Sequence, residues 1–253
     1  MNPLSVSIVV PVLNEAATIT TALARLRRDF PDCDLVVVDG GSTDNTPELA
    51  AAWATVVAGE RGRARQMNTG ARRTHGDVLW FIHADTAIDP AALTQLRACL
   101  AADPEAVGGG LTLRFDQRVP ALNYLAYTSN QRARRLHHIF GDQAMFVRRT
   151  VFDELGGFPD LPLMEDLEFS RRLHRRGRLL LLPATSTASA RRLTAHGAWR
   201  MIAFMQYLKL LYFAGVDCEQ IARRYAAGPP RLPRPGLGPG LRKDAAAGRV
   251  SSP

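Results

Sequence analysis

Cysteine is scarce in this chain. Its three residues, Cys33, Cys99 and Cys218, are odd in number and far apart, and none stands at metal-ligand spacing. That excludes a disulfide framework and a thiolate zinc site, and it points to reduced thiols in a cytosolic protein. Long apolar runs are missing too. The longest, residues 201–216, is interrupted by Gln206 and Lys209, whereas a helix needs about 20 apolar residues to cross a bilayer. The first residues lead almost at once into a strand pattern, not into a charged region, apolar core and cleavage site, so no secretory signal is expected. No internal repeat recurs along the chain.

Hydrophobic residues make up 46% and charged residues 22%, the balance of a soluble globular domain. A length of 253 residues suffices for one large α/β domain with an appendage. Half of the +8 net charge arises beyond residue 227, where Arg231, Arg234, Arg242, Lys243 and Arg249 face one acid, Asp244, among prolines and glycines. We expect residues 1–227 to form a single domain and 228–253 a disordered basic tail. The basic balance suggests a nucleic-acid binder, but half of it sits in that tail, and no binding motif or aromatic platform accompanies it.

Strand and helix patterns alternate from the start. Residues 6–12 read as a strand buried on both faces, with Asn14 as cap of the following helix and Glu15 at its positive end. A second strand covers 35–39; Thr46 and Pro47 then open a helix. Residues 54–58 form a short strand, 63–74 a basic helix and 78–83 a fourth strand. Asp89-Pro90 opens a helix to about 101. The second half is less regular: a strand at 106–115, whose Gly108-Gly109-Gly110 run requires close approach of backbone or ligand, a helix at 124–136, a strand at 144–148 and a short helix at 150–155. A helix at 166–176, a short last strand at 179–182 and helices at 198–214 and 219–226 complete the pattern. The alternation favours a mostly parallel, doubly wound sheet with helices on both faces.

Three acids close apolar runs: Asp39 after Val36-Val37-Val38, Asp85 after Phe81-Ile82-His83-Ala84, and Glu165-Asp166 after Met164. Strands deliver such acids to the carboxyl rim of an open sheet, where ligands bind. Asp39 can accept hydrogen bonds from a base edge or ribose, or simply start a turn. Asp85 can bind a hard divalent cation, since a cation on a diphosphate needs few protein oxygens; otherwise it closes a loop. Glu165-Asp166 suits a helix N-terminus on dipole grounds alone, and also suits a positioned general base. The run from Arg61 to Gly70 places arginines and Asn68 at a helix start that can attract phosphate. Arg191-Arg192 and His196 can reach phosphates from a loop. Arg171-Arg172 and Arg175-Arg176 read as a solvated basic face, and His137-His138 as surface. A second enzyme class with strand-end acids, the nucleotidyltransferases that make nucleotide-sugars, has a Gly-rich basic loop after its first strand. Here that loop is Asn14-Glu15-Ala16-Ala17.

The order of motifs carries a resemblance. Pro11-Val12-Leu13-Asn14-Glu15, Val38-Asp39-Gly40-Gly41-Ser42-Thr43-Asp44, Asn68-Thr69-Gly70-Ala71, His83-Ala84-Asp85, Gly141-Asp142-Gln143 and Glu165-Asp166 together resemble the family 2 inverting glycosyltransferases of the GT-A fold. The likeness covers about residues 5–182 and continues to 226. Within that family it looks closest to the small bacterial enzymes labelled rSAM- or arsenosugar-associated. The resemblance implies a Rossmann-like GT-A domain with C-terminal helices, a nucleotide-binding half at about 1–115 and an acceptor half at about 116–227. It implies that Pro11, Glu15 and Asp39 line the nucleoside pocket, with Asn68, His83 and Arg191 also toward the donor. Asp85 would hold Mg²⁺ or Mn²⁺, and Asp166 would be the catalytic base. The chain departs from the family at His83, where an acid is usual. The implied reaction is inverting transfer from a nucleotide-sugar to an acceptor hydroxyl. The apolar helix 198–214 would pack in the core or in a homodimer, or lie on a membrane near a lipid acceptor.

Overall fold

The protein, described here by a computed structural model, is defined over residues 3–195 and 197–230. The expected tail from residue 231, His196 and the side chain of Arg192 lie outside the described residues. Within them the elements run β1 (Val6–Val12), α1 (Ile19–Asp29), β2 (Asp34–Asp39), α2 (Thr46–Ala51), β3 (Thr55–Ala58), α3 (Arg63–Arg72), β4 (Val78–Phe81), β5 (Thr86–Ile88), α4 (Ala92–Ala102) and β6 (Ala106–Phe115). They continue with α5 (Pro120–Leu136), a 3-10 turn (Gly141–Gln143), β7 (Phe146–Arg148), α6 (Arg149–Glu154), α7 (Glu165–Arg176), β8 (Arg178–Ala188), α8 (Arg191–Ala195), α9 (Ala198–Phe213) and α10 (Cys218–Ala227).

One sheet holds the strands in the order β3-β2-β1-β4-β7-β6-β8-β5. β1 to β4 are mutually parallel, so the ends of β1, β2 and β4 reach one rim. β7 runs against both β4 and β6, β8 runs parallel to β6, and β5 turns back against β8. The sheet is thus parallel in the first half and mixed in the second, the architecture of a GT-A domain.

Period-two alternation divides the strand residues between two cores. Val6, Ile8, Val10 and Val12 of β1, with Val78 and Trp80 of β4, pack against Ile19, Leu23 and Leu26 of α1 and Leu93, Leu96 and Leu100 of α4. Val9, Val36, Val38, Leu79 and Phe81 face Met67 of α3, Phe152 of α6, and Phe169 and Leu173 of α7 on the other side. Burying each such side chain is worth about 1.5–3 kcal/mol relative to exposure. A third cluster joins Met164 and Leu167 at the head of α7 to Met201, Phe204 and Leu208 of α9 and Ile221 of α10. The C-terminal helices therefore clamp the turn that carries Glu165 and Asp166.

Several sequence expectations change. The last strand does not stop at residue 182: Leu182 pairs with Leu111 and Thr185 with Thr112, leaving Pro183 and Ala184 in a bulge. A bulge accommodates the missing N–H of proline without ending the strand. β5, three residues long, adds a strand between the fourth strand and the Asp89-Pro90 helix start; so short a strand shows no alternation in the sequence. Asn14 does not cap α1, which starts at Ile19; Asn14 adopts a left-handed φ of 55° and accepts a 2.8 Å bond from the Thr43 N–H. His137 is half-buried, its ring stacked 4.4 Å from that of His174. The glycine run meets backbone, not ligand: a Cβ on Gly109 would lie 2.0 Å from the Leu180 carbonyl oxygen.

Candidate active site

Where β1 and β4 end, a cleft of about 630 Å³ opens, lined by Pro11, Glu15, Arg63, Gln66, His83, Asp85 and Arg191 among others. It adjoins a larger cavity of about 1010 Å³ beneath α1. Ala84, Asp85, Ser189 and Arg191 border both. Asp85 thus stands exposed on a ridge at the strand end, able to meet a ligand from either side.

Each wall is fixed by its own chemistry. Glu15 accepts a 2.8 Å bond from the Thr18 hydroxyl and donates its N–H to the Thr46 hydroxyl at 2.8 Å, which ties the turn after β1 to the head of α2. The buried Gln66 amide donates at 2.8 Å to the carbonyls of both Val12 and Val38, joining the ends of β1 and β2 beneath the cleft. Asp39 does not line the cleft. Its carboxylate accepts from the N–H groups of Gly41 and Ser42 and from the Ser42 hydroxyl, so it organises the Gly40–Asp44 turn beside the cleft. Asn68 also faces elsewhere. Its amide nitrogen donates to the Phe158 carbonyl and its amide oxygen accepts from the Phe158 N–H, both at 2.9 Å. That pair clasps α3 to the Gly156-Gly157-Phe158 loop, which leads toward α7.

Asp166, distant in sequence, does not line this cleft but stands beside it, on the Gly141 turn against which the cleft-lining His83 also packs. Its Oδ2 accepts the Gly141 N–H at 2.9 Å, and its Oδ1 accepts the Leu167 N–H at 2.7 Å. His83 packs on the same glycine: a Cβ on Gly141 would fall 2.6 Å from His83 Cε1 and 3.6 Å from Asp166 Oδ2. Only a residue without a side chain lets the imidazole and the carboxylate flank one turn this closely. Arg63 completes the set. Its guanidinium lies 3.5 Å from Glu165 Oε1, and although burial works against its charge, Glu165, Asp166, Tyr225 and Asp85 hold the cation firmly protonated. Asp85 and Asp166 therefore face one arginine from two elements that share no sequence proximity.

The electrostatics are unusual. Burial, reinforced by Arg63, pushes the His83 imidazole down to about 3, so it is neutral at physiological pH. Burial lifts Glu165 well above the usual carboxylate range, with Asp166 pushing further and Arg63 opposing. Asp142, one residue past Gly141, is raised to about 6 by burial, with Arg132 pulling it back and Asp166 pushing it up; its Oδ1 is buried with no hydrogen-bond partner. Lys209 of α9 is lowered to about 8 by burial and by Arg132, against Asp142 and Asp166. Lys209 and Arg132 lie 5.5 and 3.7 Å from the Phe140 ring centroid. Perturbed acids and bases clustered in a cleft are a mark of chemical function.

Sequence reasoning missed Lys209, Arg132 and Tyr212, whose hydroxyl donates to Glu168 at 2.7 Å. All three sit on helices read only for their apolar faces, and nothing in their spacing marks them. Asp142 belonged to a recognised motif but carried no assigned role. Among the described residues, no three His, Cys, Asp or Glu side chains form a metal cage by themselves. Asp85 is a single exposed carboxylate, which fits a cation whose other ligands come from a bound diphosphate and water.

Known proteins share this fold. The structure of a mannosyltransferase from Pyrobaculum calidifontis in complex with GDP-Man and Mn²⁺ superposes with a TM-score of 0.61 at 21% identity, over 86% of this chain and 66% of that one. The glucosyl-3-phosphoglycerate synthase of Mycobacterium tuberculosis, in complex with Mn²⁺, UDP and glucosyl-3-phosphoglycerate, gives 0.56 at 21% identity, over 84% and 81% of the two chains. In sequence, glycosyltransferase AglE of Haloferax volcanii is 26% identical over 170 residues, 61% of this chain and 56% of that protein. A PGL/p-HBAD biosynthesis glycosyltransferase of Mycobacterium bovis is 37% identical over 92 residues, 32% of this chain and 36% of that protein. The chain thus spans about half or less of the length of these curated relatives. The family model described as glycosyl transferase family 2 matches residues 7–156, from β1 through the turn that precedes α7, and by that match the chain belongs to glycosyl transferase family 2.

Proposed function

We propose that the protein transfers a sugar from a nucleoside-diphosphate sugar to an acceptor hydroxyl, with inversion at the anomeric carbon. The supporting observation is that Asp85, which lines the cleft past the end of β4, and Asp166, at the head of α7, both lie within electrostatic reach of Arg63, while Asp166 and the cleft-lining His83 flank the Gly141 turn. In this reading the half built from residues 1–115 holds the donor and that from 116–227 the acceptor. Pro11, Glu15 and the turn organised by Asp39 form the nucleoside wall. Arg63 and Arg191 face the diphosphate. A divalent cation held by Asp85, Mg²⁺ or Mn²⁺, supplies Lewis-acid neutralisation of charge on the leaving group.

Asp166 is the base. Two backbone N–H groups, from Gly141 and Leu167, fix its plane and leave lone pairs for an acceptor O–H. As the acceptor oxygen bonds to the anomeric carbon, its proton passes to Asp166 and the bond to the diphosphate oxygen breaks on the opposite face. His83, neutral, takes the place of a second acid. It adds no negative charge where the diphosphate must sit, and it can offer one N–H donor.

A thermal-shift panel of UDP-, GDP-, dTDP- and CDP-sugars, with and without Mn²⁺, tests the reading. One nucleotide class should raise the melting temperature by about 5 °C or more near saturation, and only with the cation. No response to any donor would contradict it.

A further inference from the structure

Helix α9 is apolar on both sides. Met201, Phe204 and Leu208 are buried against α7 and α10. The opposite side carries Trp199, Tyr207, Leu210 and Phe213, all exposed, with Leu210 open to 68%. Their spacing of eight, three and three residues places them along one stripe. The stripe continues onto α5: the rings of Tyr124 and Trp199 lie 5.5 Å apart, and Tyr127, exposed to 62%, stands one turn beyond. Core packing thus accounts for one face of α9, and among the described residues nothing covers the other.

The chemistry of this face selects its occupant. Four of the six side chains named are Tyr or Trp, which place an apolar body in lipid and a polar tip in the head-group layer. α5 adds the exposed Arg134 and Arg135, and neither α5 nor α9 contains an acidic residue. Arg171 lies 5.8 Å from the Phe213 ring, and Arg224 donates to the Tyr207 hydroxyl at 2.9 Å. The exposed acids Asp217 and Glu219 come only after α9 has ended. A second copy seated here in two-fold symmetry would set arginine against arginine, whereas anionic lipid neutralises them.

We propose that the α5–α9 face docks the protein onto an anionic membrane surface, and that the acceptor is a hydroxyl-bearing lipid. The acceptor part rests on the transfer reading above. Its geometry is direct: α9 presents Trp199 and Leu210 outward, while Met201, Phe204 and Leu208 of the same helix pack on Met164 and Leu167, the residues on either side of Glu165-Asp166. Docking brings a lipid head group toward the head of α7, which carries the base.

Co-sedimentation of the full chain with phosphatidylcholine vesicles, with and without about a third phosphatidylglycerol, tests this. The wild type should pellet with the anionic vesicles at physiological salt. The triple variant Tyr127→Ser, Trp199→Ser, Leu210→Ser, altered only at exposed positions, should lose roughly tenfold or more of that partitioning while melting normally. Wild-type protein that stays in the supernatant, or a variant that binds equally well, overturns the proposal. So does a doubled mass in light scattering that the substitutions abolish, or retention on nucleic acid that the same substitutions abolish. The donor thermal shift, measured without lipid on the same preparations, separates the two ideas: it should be the same for wild type and variant, and its absence in both would indict the transfer reading instead.

Discussion

At the scale of single residues, the cleft is a place where folding has accepted electrostatic cost. Asp142 is the clearest case. Its folded value of about 6 lies above the ordinary 3.8. A carboxyl raised on folding contributes stability below its unfolded value, which is lost as pH rises through the folded one, so the penalty is complete above about pH 6. Asp142→Asn keeps the shape and removes the charge. At pH 8 it should melt higher than the wild type, by up to roughly 3 kcal/mol of stability, and at pH 4 the two melting curves should nearly coincide. A variant less stable at pH 8 would mean that attraction to Arg132 and Lys209 outweighs burial. Asp166→Asn should behave differently: donor thermal shifts persist while nucleoside-diphosphate release in the presence of acceptor falls by about 100-fold or more. The positions of Pro11, Glu15, His83 and Asp85 were legible because the chain leaves the apolar strands β1 and β4 there, and that of Asp166 because acids favour a helix start. The structure has them at the end of β1, just past β1 and β4, and in the first turn of α7, while their roles belong to the proposed function. The sequence misplaced Asn68, since a side chain that clasps a loop 90 residues away leaves no local mark. It could not show that the Asp39 carboxylate turns back on its own loop.

At the scale of elements, α7 depends on what covers it. Its head is packed by α9 and α10 through Met164, Leu167, Leu208 and Ile221, and Met164 enters the helix with a left-handed φ of 68°, a conformation that costs a non-glycine residue free energy. The clamp holds that turn. Leu208→Ala should destabilise the protein by about 2–5 kcal/mol, and amide exchange at residues 164–167 should accelerate more than in β1 or β2. Equal acceleration everywhere would show that α9 supports the whole fold and not this turn. The elements of the first half were readable because long β-branched runs alternate with segments of helical apolar periodicity. β5 and the far half of β8 were not: one is three residues long, and the other continues through Pro183 by a bulge that only its pairing with β6 reveals.

At the scale of the whole molecule, two unlike halves meet around Arg63. The parallel half supplies the rim where β1 and β4 end, and the mixed half brings Asp166 beside that rim through the Gly141 turn; the proposed function puts donor and base at this meeting. Hydrophobic periodicity announced both layers of core, but no local pattern announced their meeting, because it depends on long-range packing of α7 beneath α9. The measurement that tests this meeting most directly is calorimetric titration of the stabilising nucleotide-sugar, with Mn²⁺, into wild type, Asp85→Asn and Asp166→Asn, each also assayed for nucleoside-diphosphate release in the presence of acceptor. The account predicts that Asp85→Asn loses cation-dependent donor binding, by about tenfold or more in affinity, while Asp166→Asn binds the donor as wild type does and releases almost no product. Undiminished turnover by Asp166→Asn, or cation-dependent binding by Asp85→Asn equal to that of the wild type, would contradict it.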